Sequence, residues 1–340
     1  MTDNSHLPYK PLGHVPKSGE QLVGGNLAFI FPGQGSQKLG MGRELAELYP
    51  VAKHTFEEAD QALGCGLAQI CCEGPEDKLK LTEITQPAIL TVSVAVFRIL
   101  REVGITPAYA AGHSLGEYSA HVASGTLEFV DAVRVVRNRG RYMQEAVPVG
   151  EGAMAAIIGL ALEQVKQICT DAADGQVCEP ANINSPEQVV ISGNEQAVER
   201  AAEIAKQRGA KRAVLLPVSA PFHCALMRPA EERLARDLKA LSFNQPEIPV
   251  VSNFDAKFVE TVEASRDALV RQVTGAVLWE QSIRALIAHG VDTFLEVGPG
   301  KVLCGLMRQI DRSKTCMNVE DEDSLQKVIN HFSQVRAGAS

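Results

Sequence analysis

The sequence predicts a doubly wound α/β protein that carries a smaller βαββαβ unit within it. Short apolar runs at 27–31 and 108–112 end in glycine-containing turns and lead into helical patterns, as parallel strands buried on both faces do. Strand, sharp turn and helix then alternate, the order of an open, mostly parallel sheet. Between 151 and 218 the order changes to β, α, β, β, α, β, the split βαβ or ferredoxin-like unit. The first grammar resumes afterwards, so the smaller unit reads as an insertion.

Each element has a local cause. Residues 1–26 hold Pro8, Pro11, Pro16 and four glycines without an apolar period, and are expected to be a flexible extension. Leu27 to Phe31 is a continuous apolar run that stops at Pro32-Gly33. Helical spacing covers Glu44 to Leu63, broken by Pro50, and Pro87 to Val103, where Thr85 is expected to cap and Pro87 to sit in the first turn. Ala108 to Gly112 is the second strand. The inserted unit comprises strand Ala153 to Ile158, helix Leu162 to Ala172, strands Gln176 to Ile183 and Gln188 to Ser192, helix Glu195 to Gln207 and strand Arg212 to Val218. Helix Ala225 to Leu241, strand Ile248 to Ser252, helix Glu280 to Ala288 and strand Thr293 to Val297 complete the larger unit, which is expected over 27–150 and 219–318. The polar stretch 319–340 is expected to be a surface tail.

Composition narrows the function. The chain has 340 residues, 45% hydrophobic and 22% charged, which excludes a disordered, collagenous or coiled-coil chain. With 33 basic against 41 acidic residues its net charge is −8, so the global positive field of a nucleic-acid binder is missing. Eight scattered cysteines lack zinc-ribbon spacing and disulfide-scaffold density; reduced thiols and no metal are expected. Met1 to Lys10 lacks the basic start and apolar run of a signal peptide, and no run reaches about 18 apolar residues. A cytoplasmic protein that binds neither nucleic acid nor membrane is expected.

Gly112-His113-Ser114-Leu115-Gly116 fits the G-x-S-x-G elbow and sits between a strand and a helix, the setting that the motif requires. Such a turn exposes Oγ at a helix N-terminus, where amides and dipole favour an oxyanion. The bland alternative is an incidental Gly-Ser turn. A serine needs a base. Of eight histidines, His6, His14 and His331 lie in expected tails, His54 lies on a surface-like helix, and His289 suits a helix C-terminus. His113 points to the other side of the strand, and His121 lies about 10 Å up the helix. His223, in the loop Val218 to Cys224, is left, weighed against a packed loop histidine. The turn Phe31 to Gln37 lacks the lysine and spacing of a phosphate loop; a better role is to supply the Gln34 amide to an oxyanion hole shared with the Leu115 amide. Arg134, Arg137, Arg139 and Arg141 crowd one helical stretch. Most suit a solvated face, and one turned inward could hold a substrate carboxylate.

Taken together, FPGQGSQ at 31–37, TQPA at 85–88, GHSLGEYSA at 112–120, RG at 139–140, MQEAVP at 143–148, SAPFHCALM at 219–227 and EVGPGKVL at 296–303 resemble the malonyl-CoA:acyl-carrier-protein transacylases and the related acyltransferases of polyketide synthesis. The resemblance runs from Leu27 to about Asn318. It implies a hydrolase-like α/β core with an inserted ferredoxin-like domain, Ser114 as the acylated nucleophile, His223 as its base, and Gln34 and Leu115 as oxyanion-hole amides. It singles out Arg139 for the malonyl carboxylate and adds Gln86 and Phe222 as substrate-binding residues; a bulky residue at the position of Phe222 goes with unsubstituted malonyl. It also implies that a backbone carbonyl orients the histidine, with Gln272 at the matching position and Asp255 as a rival.

Malonyl-CoA and holo acyl carrier protein are thus the expected partners of a monomer without cofactors, working by ping-pong transfer. Lys206, Arg208, Lys211 and Arg212 form a candidate patch for the acidic carrier, with a solvated face as the equal alternative. An esterase or acyl-thioester hydrolase competes, because the same serine and histidine serve water. A non-catalytic carrier-binding module is a more distant third.

Overall fold

The computed structural model describes residues 26–218 and 220–339. Apart from Asn26, the extension expected over 1–26 lies outside the described residues. Among the described residues ten strands form two sheets: β1 (Leu27–Phe31), β2 (Tyr109–Gly112), β3 (Gly152–Ile158), β4 (Cys178–Ser185), β5 (Gln188–Asn194), β6 (Arg212–Leu215), β7 (Val250–Val251), β8 (Phe258–Val259), β9 (Thr293–Val297) and β10 (Thr315–Val319).

The larger sheet has the order β10-β9-β1-β2-β7-β8, parallel except for β8 at its edge. All five residues of β1 are buried, because the sheet is covered on both sides. Leu27, Phe29 and Phe31 face the helices Pro50–Leu63, Thr82–Glu102 and Phe129–Glu145, while Ala28 and Ile30 face Trp279–Ala288 and Val302–Ile310. That two-sided burial is why the sequence shows a continuous apolar run instead of alternation.

The smaller sheet is antiparallel, β4-β5-β3-β6. Here alternation is visible: Ala155 and Ile157 pack under the helices Leu162–Ala173 and Glu195–Gln207, while Met154 turns to the other face and joins the main core. The smaller sheet is also bonded to the segment of the larger unit that precedes the helix Trp279–Ala288. Val277 donates its N–H to the Ala181 carbonyl at 2.8 Å and accepts from the Ile183 amide at 2.9 Å.

Two expectations change. The long apolar helix starts at Thr82, after an extended Leu81, so Thr85 is no cap and Pro87 lies inside the helix. Burial of Thr82, Ile84, Thr85 and Gln86 extends it beyond the residues that local signals mark. This helix is long and apolar enough to cross a membrane, yet 89% of its apolar window is buried within the fold. The expected polar tail is instead an ordered helix, Glu322–Ala339, which follows β10 and buries Leu325, Val328 and Phe332 against the core. The apolar spacing i, i+3, i+7 of those three residues is a helix signal that polar neighbours mask.

Candidate active site

Strand β2 ends at Gly112, and the helix Leu115–Ala123 begins three residues later. Turning so sharply forces Ser114 to φ 52°, ψ −106°, a region that costs a non-glycine residue about 1–3 kcal/mol. The turn is possible only with glycines. A Cβ on Gly112 would stand 1.9 Å from the Gly116 backbone, and one on Gly116 would stand 2.1 Å from the Phe31 carbonyl. Side chains then hold the strained turn. Asn253 Oδ1 accepts from the Ser114 amide at 2.6 Å, Asn253 Nδ2 donates to the Gly112 carbonyl at 2.7 Å, and Gln272 Nε2 donates to the Ser114 carbonyl at 2.9 Å.

Ser114 Oγ lies 2.7 Å from His223 Nε2. His223 is itself at φ 61°, and its Nδ1 lies 2.9 Å from the Gln272 carbonyl oxygen. A carbonyl can only accept, so Nδ1 carries the proton and Nε2 is left as the basic nitrogen facing the serine. Burial, and then the nearby Arg139 charge, push the imidazole down to about 3, which keeps it neutral at physiological pH. Asp255, the rival orienter, instead lies beside Lys257 at 3.9 Å.

Arg139 is the inward-facing member of the arginine cluster and is only 1% exposed. Its Nη2 donates to Ser114 Oγ at 3.1 Å and to Gln272 Oε1 at 2.8 Å, and its Nη1 donates to Gln86 Oε1 at 2.8 Å. Arg134 and Arg137 reach helix-end carbonyls of Ala62 and Leu63, and Arg141 reaches Asn138. Gln34, Gln86, Ser114, Leu115, Arg139, Phe222 and His223 all line one cavity of about 530 Å³. As the first residue of its helix, Leu115 has an amide with no intrahelical acceptor. Gln34 follows the β1 strand, whose Phe31 carbonyl accepts from the His113 amide at 3.0 Å.

Several neighbours were not anticipated. Glu117, three residues after the serine, is fully buried; its Oε2 accepts from the Asn253 amide at 3.0 Å and from Gln272 Nε2 at 2.7 Å. Burial raises its carboxyl to about 7, against the lowering effect of those two bonds and of Arg139. In the sequence it reads as an ordinary acid in a helix's first turn. Asn253 follows a strand without any recognisable motif. His113 lines the cavity with its Nε2 2.8 Å from Asn184 Oδ1. Among the candidate docking cations, Lys206, Arg208 and Lys211 pair with Glu203, Asp171 and Glu187. No group of three metal-ligating side chains occurs among the described residues.

A parallel α/β sheet that presents a serine–histidine pair and a guanidinium to one mostly apolar cavity is the arrangement of an enzyme that handles acyl groups. The chain belongs to the acyl transferase domain family, whose model matches residues 28–332. It is 51% identical to the malonyl CoA-acyl carrier protein transacylase of Escherichia coli over 299 residues, 88% of this chain and 97% of the relative. Among solved structures, an acyl carrier protein S-malonyltransferase from Vibrio cholerae aligns with a TM-score of 0.88 at 48% identity, covering 89% of this chain and all of that one. A malonyl-transacylase solved in complex with its type II polyketide acyl-carrier protein aligns with a TM-score of 0.88 at 47% identity, over 90% of this chain and 100% of that one.

Proposed function

We infer that the protein transfers the malonyl group of malonyl-CoA to the phosphopantetheine thiol of holo acyl carrier protein through a malonyl-Ser114 ester. The observation that carries this is the position of Ser114 Oγ, within hydrogen-bond reach of both His223 Nε2, at 2.7 Å, and Arg139 Nη2, at 3.1 Å. A base and a fixed cation at one oxygen suit an acyl donor whose far end is a carboxylate.

In the first half-reaction Ser114 Oγ attacks the thioester carbonyl while His223 Nε2 takes the hydroxyl proton. The amides of Gln34 and Leu115 receive the tetrahedral oxyanion. The C–S bond then breaks, the proton passes from His223 to the departing CoA sulfur, and the serine ester remains. The carrier's thiol reverses the sequence, giving its proton to His223 as the C–S bond re-forms. Arg139 holds the malonyl carboxylate throughout, and Gln86 fixes Arg139; Phe222 fills space beside the acyl chain.

Intact-protein mass spectrometry after exposure to malonyl-CoA tests the nucleophile. The parent gains one malonyl group, and Ser114→Ala gains none. An adduct that persists in that variant places the nucleophile elsewhere.

A further inference from the structure

We propose that Glu117 is a positioning residue of the acyl transfer, acting through Gln272 and Asn253 to hold the serine, the histidine and the arginine in one register. The inference rests on the roles just given to Ser114, His223 and Arg139, and extends them to a residue that none of the steps uses.

The argument begins with Gln272. Both of its ends work at the site: its backbone carbonyl faces His223 Nδ1 at 2.9 Å, its Oε1 accepts from Arg139 at 2.8 Å, and its Nε2 donates to the Ser114 carbonyl at 2.9 Å. One residue therefore fixes three partners, two of them through its side chain, provided that its amide plane is itself fixed. Oε1 can satisfy the arginine only if Nε2 points toward Ser114 and Glu117. The Glu117 carboxylate, 2.7 Å from Nε2, is an acceptor on that side and sets the amide's orientation, since a flipped amide would aim its oxygen at a carboxylate.

The same Glu117 oxygen accepts from the Asn253 backbone amide at 3.0 Å. Asn253 in turn accepts from the Ser114 amide and donates to the Gly112 carbonyl, so it spans the turn whose φ of 52° is strained. Glu117 thus anchors both residues that restrain the elbow. The other carboxylate oxygen, Oε1, has no partner among the described residues. A buried oxygen in that state is costly, and a site that keeps the longer, doubly accepting side chain there is using its reach.

Two features of Glu117 can be separated, its reach and its charge. Glu117→Gln keeps an acceptor oxygen at the same distance for both donors and removes the charge. Glu117→Asp keeps the charge and withdraws the oxygens by one methylene. Glu117→Ala removes both features. The readout is the single-turnover rate of Ser114 malonylation, followed by rapid quench and intact mass, together with KM for malonyl-CoA and the unfolding midpoint of each variant.

A misplaced serine or histidine costs on the order of 10²-fold in rate. We therefore expect Glu117→Asp and Glu117→Ala to malonylate Ser114 about 10²-fold more slowly with little change in KM, and Glu117→Gln to recover to within about threefold of the parent. If Glu117→Ala does not fold, the order of the Gln and Asp variants decides alone. Rates for Glu117→Gln as low as for Glu117→Asp, or losses confined to KM, overturn the proposal, as do Asp and Ala variants as fast as the parent. The parent is run alongside: if it forms no malonyl-Ser114, the underlying function fails, whereas a malonylated parent with unaffected variants removes only the role of Glu117.

Discussion

Ser114 Oγ is shared between a base and a cation, and the two make different demands. His223 serves any acyl donor, whereas Arg139 distinguishes donors by their far end. Arg139→Ala is expected to lower malonyl transfer by about 10²-fold more than acetyl transfer, the worth of charge-assisted hydrogen bonds to a carboxylate. Because Arg139 also holds Gln86 and Gln272, both donors lose some rate, and the ratio measured with malonyl-CoA and acetyl-CoA is the informative quantity. Equal losses contradict a carboxylate-binding role. The buried histidines make a second prediction. Burial pushes His121 down to about 3 from an ordinary 6.5, and neither ring nitrogen has a partner among the described residues. Below about 6.5 the unfolded chain takes up a proton that the folded chain refuses. The stability tied to His121 is therefore fully present above that pH and is lost as pH falls toward 3. Comparing urea unfolding at pH 7 and pH 5, His121→Phe should lose about 2 kcal/mol less than the parent; identical losses contradict the assignment. At this scale the sequence singles out residues that sit in motifs, Ser114, His223 and Arg139, and these three meet at one oxygen. Glu117 and Asn253 escape notice because their importance comes from who faces them across the fold, at separations in sequence of 155 and 139 residues.

Elements are legible to the extent that their burial leaves a period. Strand β9 is found at its predicted bounds, Thr293–Val297, because a short stretch rich in strand-favouring residues is bounded by Asp292 and Gly298. The helix Thr82–Glu102 extends beyond its sequence signals, because tertiary burial of Thr82 to Gln86 outweighs the local preference of Pro87 for a first turn. The helix Glu322–Ala339 is hidden for the opposite reason: its apolar stripe is narrow and its surroundings are polar. Phe332 is 3% exposed in that stripe, so Phe332→Ala should cost about 3–5 kcal/mol in urea unfolding. A cost within ±0.5 kcal/mol, as at a surface position, would show that this helix contributes little to the fold.

At the scale of the whole molecule, the cavity is built jointly. Met154 from β3 and Asn182 from β4 line it together with Ser114 and Arg139 from the larger unit, and Val277, just before the helix Trp279–Ala288, forms a bridge to β4 next to them. The main core includes Met154, Ala181 and Val190 of the smaller unit, which also packs a core of its own under its two helices. We therefore expect one cooperative unfolding transition. Trp279, the single tryptophan, is fully buried two residues from that bridge, so its fluorescence and far-UV circular dichroism should change together; separated transitions contradict a shared core. The order of elements along the chain makes both sheets legible beforehand, whereas the bridge from Val277 to β4 is not, since Val277 carries no mark of it in the sequence.

The direct test is to supply the purified protein with malonyl-CoA, first alone and then with holo acyl carrier protein, and to follow malonyl-Ser114, malonyl-carrier and free malonate by mass spectrometry over time. Rapid malonylation of Ser114 that is discharged onto the carrier, with little free malonate, is the expected result. Free malonate accumulating while the carrier stays unloaded would contradict it and make water the acceptor of this site.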